Sequence, residues 1–170
     1  NRDMHEYVCC VTSSWQGGFT PRAMNTYNAL VDLMGYEHLG GKTLLYMIDG
    51  LYGAGSQSAK PSRFSMAPFN NDWTSSLFLS QDGVAIDSVA LDFLRNESTI
   101  SNVVNAADNY LHEASRADSP PSGTTYDPEG DGSTLPSLGV HEHWNNATAR
   151  QYTRNLGTGD GIELISYDPF

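Results

Sequence analysis

The sequence is short of cysteine, short of positive charge and free of long apolar runs, and each shortage removes a class of function. Its only cysteines, Cys9 and Cys10, are adjacent. No CxxC or CxxCH occurs, so a zinc ribbon, a c-type haem and a self-contained iron–sulfur cluster have no ligands in this chain. Neighbouring positions on a strand point to opposite faces, so two buried thiols are expected here rather than a strained vicinal disulfide. Nine Lys+Arg face 20 Asp+Glu, for a net charge of −11. The imbalance lies downstream: residues 1–65 carry five charges of each sign, residues 66–170 four basic and 15 acidic. Nucleic acids and acidic lipids are held by neutralising phosphates, so neither is an expected partner. The most apolar run, Thr43 to Ile48, is far short of the roughly 18 residues of a membrane span.

What is present suits one domain. A chain of 170 residues, 39% hydrophobic and 17% charged, is long enough for one core and short for two. It opens Asn1-Arg2-Asp3, without an initiator Met or an apolar leader, which leads us to expect the C-terminal part of a longer precursor. The expected fold class is α/β: a single domain over residues 1–170 with a mixed or mostly parallel sheet, flanking helices and a long acidic C-terminal loop over residues 118–140.

The elements read as follows. His5–Val11 is a short strand ended by the turn at Ser13–Gly18. Thr20 and Pro21 open a helix in which Met24, Tyr27, Leu30, Val31 and Met34 recur at helical spacing, with Gly35 closing it. Thr43–Gly50 reads as a central strand buried on both faces, and Gly53–Pro68 as a mobile surface loop. Ser76–Ser80 is a second strand. Asp82 caps a helix from Val84 to Arg95 with a buried stripe of Ile86, Val89, Ala90, Phe93 and Leu94, and with Asp87 and Asp92 on its other faces. Val103–Arg116 is a third helix, stopped by Pro120-Pro121. Asp118–Leu138 is loop-like throughout, long enough that something must order it. Ile162–Ser166 is a terminal strand.

Two motifs carry metal chemistry. Asp127-Pro-Glu129-Gly-Asp131-Gly132 places oxygen ligands at alternate positions with Gly at the sixth, as in the first half of a calcium loop. Leu138 stands where an EF-hand needs its bidentate Glu, so a simpler Ca²⁺ loop is the expectation, against the plainer reading of a solvated acidic turn. In Val140-His141-Glu142-His143-Trp144, extended backbone would send His141 and His143 to one face, a chelate geometry for Zn²⁺ or another transition metal. A third ligand would have to come from His5, His38, His112 or a carboxylate; packed or solvated histidines are the alternative. Asp49, Asp82 and Asp87 are candidate catalytic carboxylates near strand ends, with turn formation and helix capping as the competing readings. No GxSxG anchors a serine hydrolase. Gly157–Gly161 lacks the Lys of a nucleotide loop. Asn96 and Asn146 fit the glycosylation acceptor pattern.

Several words together resemble one family, the bacterial and archaeal proteins catalogued as domain of unknown function 362. They are Met24-Asn25-Thr26-Tyr27-Asn28, Leu39–Tyr46, Ile48–Tyr52, Phe69–Trp73, Tyr126–Gly132, Leu138–Trp144 and Arg154–Gly157. The most telling is Ser80-Gln81-Asp82-Gly83-Val84-Ala85-Ile86-Asp87, similar to the family's Ser-x-Asp-Pro-Val-Ala-x-Asp segment, with Gly83 in place of the Pro. The resemblance implies an exported, extracytoplasmic protein of unestablished activity whose upstream part is missing here, and it carries over no catalytic residues. On this basis the leading expectation is a divalent-cation-binding structural or binding module, Ca²⁺ before Zn²⁺. The rivals are a metal-dependent enzyme built on His141, His143 and the strand-end carboxylates, and a metal-free subunit of a surface assembly. A protein partner, self-assembly and the upstream part of the same precursor are the partners to consider.

Overall fold

The computed structural model describes residues 23–55, 59–100, 103 and 106–167. The strand expected at His5–Val11, the paired cysteines and the helix entry at Thr20–Pro21 lie outside them. The first described helix, α1, is Ala29–Gly35; it starts late because Asn25 has φ of 59° and Asn28 is extended. The Asn28 carboxamide accepts the Leu30 N–H at 3.0 Å, closing the helix start on itself.

The sheet differs from expectation. Strands β1 (Tyr46–Gly50) and β2 (Ser76–Ser80) form a two-stranded antiparallel ribbon in register from Tyr46↔Ser80 to Gly50↔Ser76. Neither a mixed nor a mostly parallel sheet is present among the described residues. Both strands alternate between partly buried and exposed positions, so of the run expected at Thr43–Gly50 only Tyr46–Gly50 is strand, buried on one face, and Leu44 and Leu45 before it are exposed. Met47, Leu77 and Leu79 point outward and are more than half exposed. The inner face rests on helix α2 (Gly83–Asn96).

Helix α2 is the longest element and lies against both parts of the core. Asp82 is extended and its carboxylate accepts the Ala85 N–H at 2.9 Å, which sets the first turn. Val84 and Leu91 join Val31, Leu111 and Tyr126 in one buried cluster. Val89 joins a second with Phe64, Met66, Trp144 and Tyr152. The segment Gly53–Pro68 therefore holds core residues, and bridges at Gly53↔Ser62 and Phe64↔Asp72 fasten it down. Two short helices follow, α3 (Asn109–Ser115) and α4 (Thr153–Leu156). Of the expected third helix, Val103–Arg116, the described residues show Asn109–Ser115 as helix, and Val104 and Asn105 lie outside them.

Most of the chain beyond α3 is irregular, and Ile162–Ser166 forms no strand. Backbone N–H groups buried without a ladder still need acceptors. Here carboxylates supply them. Glu142 accepts from the Thr153 and Ile162 N–H groups at 3.0 and 2.8 Å, and Glu113 from Ser122 N–H at 2.9 Å and the Tyr126 hydroxyl at 2.8 Å. Glu97 accepts from Met66 N–H, Thr99 N–H and the Ser65 hydroxyl at 3.1, 2.9 and 2.9 Å.

Burial alone would raise the Glu97 carboxyl, but its backbone and hydroxyl donors outweigh that and hold it down to about 2, from an ordinary 4.5. A folded value below the unfolded one adds stability that is complete above the unfolded pKa and is lost as pH falls through the folded one. A Glu97→Gln variant, with one acceptor where two N–H groups need two, is expected to lose about 1–3 kcal/mol near neutral pH. Urea unfolding of both proteins checks this: the gap should narrow as pH drops from about 5 towards 2. An equal gap across that range would rule the ionised clasp out.

Candidate metal centre

Two short helical rows and one extended segment meet at a single point. On α2, Ser88, Asp92 and Arg95 stand at positions i, i+4 and i+7, and so share one face. On α3, Asp108 is the N-cap residue and His112 lies four residues on, over the same side. The third contributor is the irregular segment carrying Val140–Trp144. Its placement is fixed at both ends. Asp82 accepts the Val140 N–H at 2.9 Å, and Asp92 accepts the Trp144 N–H at 3.0 Å. Gly139 passes so close to the Asp82 carboxylate that a side chain there would collide with it.

The imidazoles of His112, His141 and His143 converge. Ring centroids lie 4.4 Å apart for His112 and His141 and 4.9 Å for His141 and His143, both pairs nearly perpendicular. With Asp108, each offers one donor atom, and all four atoms lie within 4.8 Å of one another. His112 Nε2 and His143 Nε2 each stand 3.6 Å from Asp108 Oδ2. That is too long for a hydrogen bond. It is close to the separation of two ligands sharing one ion, since metal–ligand bonds of about 2.0–2.1 Å give a tetrahedral edge of about 3.4 Å.

The hydrogen bonds around the cluster settle which ring nitrogens are free. The Ser88 hydroxyl donates its one hydrogen to the Val84 carbonyl at 2.7 Å, so towards His141 Nδ1, 2.8 Å away, it acts only as an acceptor. His141 must donate there. Burial first, then the neighbouring His112 and His143, hold the His141 pKa down to about 3, so the ring is neutral at ordinary pH. A neutral imidazole protonated at Nδ1 carries a bare lone pair at Nε2. That atom is buried and has no hydrogen-bond partner. In the same way Asp92 receives His143 Nδ1 at 2.7 Å, which leaves Nε2 of His143 facing the cluster. A hydrogen bond from each Nδ1 to an outer acceptor, with Nε2 turned inward, is the arrangement that metal-ligating histidines adopt.

The fourth donor is an anion. Burial would push the Asp108 carboxyl up, but hydrogen bonding to Arg95 and its charge outweigh this and hold it below the usual carboxylate range. Arg95 Nη1 donates to Oδ2 at 3.0 Å. Nη2 approaches Oδ1 at 2.9 Å as an ion pair, in a geometry that leaves Oδ1 without a hydrogen bond. Three imidazole nitrogens and one carboxylate suit zinc and its neighbours; calcium prefers a shell of oxygens. One side of the cluster opens on a cleft of about 490 Å³, lined by His112, Arg116, Ser137 and Val140 among others.

Of the residues singled out in the sequence, His141 and His143 are brought together, on irregular backbone where a strand was expected. Of the suggested third ligands, His112 joins them with a carboxylate, Asp108. His38 sits at the surface 3.1 Å from Glu37, and His5 is outside the described residues. The acidic loop is elsewhere: Asp127 accepts the N–H groups of Gly130, Asp131 and Gly132, Glu129 that of Glu37, and Asp131 that of Ser133. Among the described residues these three form no convergent ligand group. Nor do the strand-end carboxylates join the cluster. Asp49 caps its own turn at Leu51, Asp82 clasps Ala85 and Val140, and Asp87 accepts the Tyr110 hydroxyl at 2.6 Å. Burial raises the Asp87 pKa, with the Tyr110 hydrogen bond opposing. Sequence reasoning missed Ser88, Asp92, Arg95 and Asp108. Asp92, set among the outer faces of its helix, is in fact 3% exposed. The signals that could have found them are the i, i+4 pair Asp108 and His112 and the polar row on α2.

No protein-family model matches the chain, nor does any curated protein or any solved structure. The resemblance described above rests on its quoted segments alone.

An Asp82→Ala variant removes the acceptor for both Ala85 and Val140. It is expected to lose about 1–2 kcal/mol of stability, the usual worth of an N-cap. Amide hydrogen exchange at Val140 should quicken beyond the change in global stability. Val140 exchange that merely tracks the global loss would show that Asp82 does not hold the segment.

Proposed function

We propose that this chain binds one transition-metal ion of the zinc class through Asp108, His112, His141 and His143, and that the ion serves a metal-dependent enzyme. The observation that carries this reading is the Nε2 of His141: a neutral, buried lone pair without a partner. Leaving such an atom unpaired costs about 1–3 kcal/mol, which ligation would offset. Calcium at Asp127–Asp131 has less support, because those carboxylates already accept backbone N–H groups. Catalysis through Asp49, Asp82 and Asp87 has less support as well, since Asp49 and Asp82 accept backbone N–H groups, Asp87 accepts the Tyr110 hydroxyl, and none of the three joins the cluster. A zinc-class ion with one side open to a cleft would supply Lewis-acid chemistry, polarising a ligand oxygen or acidifying bound water. The chain's own residues hold the geometry: Ser88 and Asp92 orient two rings, and Arg95 keeps the carboxylate ionised and in place.

For an extracytoplasmic address the support is the resemblance carried by the segments quoted above. The metal-free assembly reading is favoured by one feature, the outer face of the β1–β2 ribbon, where Met47, Leu77 and Leu79 are exposed together. Exposed apolar patches often mark contact surfaces. Its mark would be a defined oligomer, which Leu79→Lys disperses, in sedimentation of a protein that holds no metal.

Elemental analysis of natively purified protein tests the main reading. About one zinc-class ion per chain is expected, lost in His141→Ala. Asp92→Asn keeps every ligand but weakens the orientation of His143, and its affinity for zinc in a chelator competition should fall about tenfold to a hundredfold. Metal-free native protein that also takes up no zinc on titration would refute the proposal.

A further inference from the structure

The cleft beside the cluster holds a feature that ligation does not use. Arg116 follows the last residue of α3 and lines the cleft together with His112, His141 and His143. Asp108, His112 and Arg116 are spaced four residues apart, so they form one row up the side of the helix, with about 6 Å of rise between successive members. The first two members converge on the proposed ion. The third stands one turn further along, exposed, and lines the cleft.

Its guanidinium is unengaged. Arg95 pairs with Asp108, Arg154 donates to the Asp160 carbonyl, Arg150 donates to the Ala147 and Ala67 carbonyls, and Arg63 lies over the Trp73 ring. Arg116 alone, among the described arginines, makes no side-chain hydrogen bond, ion pair or ring contact. The cleft's other charged lining residue is Glu142, whose carboxylate is taken by Thr153 and Ile162. In a chain of net charge −11 an unpaired arginine is scarce, and this one lines the cleft on which the histidine cluster opens. Guanidinium groups present a planar fork of donors that matches phosphate and carboxylate oxygens.

We propose that Arg116 is the substrate-binding residue of this cleft, and that the substrate is a small molecule bearing an oxyanion, a phosphoryl or a carboxylate group. The oxyanion binds between the guanidinium and the ion. This rests on the metal reading for the position of the second contact; the contact to Arg116 stands apart from it. The anionic surroundings exclude large polyanions such as nucleic acids and admit a compact anion that reaches the cleft floor.

The test uses the full chain, with zinc content measured on every sample. Inorganic phosphate and acetate are titrated calorimetrically into zinc-loaded protein and into Arg116→Ala and Arg116→Lys variants. Binding of one of the two is expected, and which one binds identifies the group. Arg116→Ala should bind about tenfold to a hundredfold more weakly at unchanged zinc content, since a charge-assisted hydrogen bond is lost. Arg116→Lys should recover part of the affinity. Zinc-loaded protein that binds neither anion, or an Arg116→Ala variant that binds as the parent does, would overturn the inference and leave the metal reading standing. Should the chain hold no zinc, the same titrations on metal-free protein decide: binding that depends on Arg116 supports the role, and its absence overturns it.

Discussion

The Asp92 carboxylate is the interaction on which the rest of this structure depends. It is buried on the longest helix and receives three donors from beyond residue 140: the His143 ring, the Trp144 backbone N–H and the Tyr152 hydroxyl. These contacts bring a segment without regular structure against α2. They seat Trp144 and Tyr152 in the second core cluster, and they turn His143 so that its other nitrogen faces Asp108. A buried carboxylate is tolerated only when its lone pairs are filled. Tyr152 feels the same charge: burial first, and then Asp92, drive its hydroxyl pKa upward. One side chain thus links core packing to the orientation of the cluster.

Asp92 is one instance of a wider economy. Glu97, Glu113, Glu142, Asp82 and Asp127 each accept backbone N–H groups that no sheet or helix satisfies. The acidic composition is therefore partly structural. Residues 66–170 carry 15 acidic side chains, and in this stretch β2 is the only strand among the described residues. Carboxylates take the place that neighbouring strands hold in other folds, and each accepts more than one donor. Charge that would repel on an open surface is tied into hydrogen bonds.

What could be read from the sequence was what is decided locally. Ser76–Ser80 forms a strand over the expected span, and the helix expected at Val84–Arg95 with Asp82 as its cap runs from Gly83 to Asn96 with that cap in place. Period, cap and turn signals lie within a few residues of what they specify. Burial of Thr43–Gly50 on both faces could not be read this way, because it depends on what covers the ribbon, and among the described residues only its inner face is covered. The terminal strand failed for a similar reason. Ile162 is buried, but its N–H goes to Glu142 and not to a neighbouring strand. At the site, the alternation of His141 and His143 correctly suggested that the two rings meet. Their outer partners lie more than 50 residues upstream on a helix, and no spacing rule links the two stretches.

The row Ser88, Asp92, Arg95 has one more implication. Each of these residues holds a different member of the cluster: His141, His143 and Asp108 in turn. The spatial order of three ligands drawn from two distant parts of the chain is copied from the pitch of one helix. Helical phase, at about 100° per residue, thereby becomes the ruler of the site. A single residue inserted between Ser88 and Arg95 would swing the template away while every ligand remained in the chain. The long irregular stretch between Asp118 and Ser137 has no such ruler and is placed by point contacts instead, with Tyr126 buried in the first core cluster and Ser122 held by Glu113.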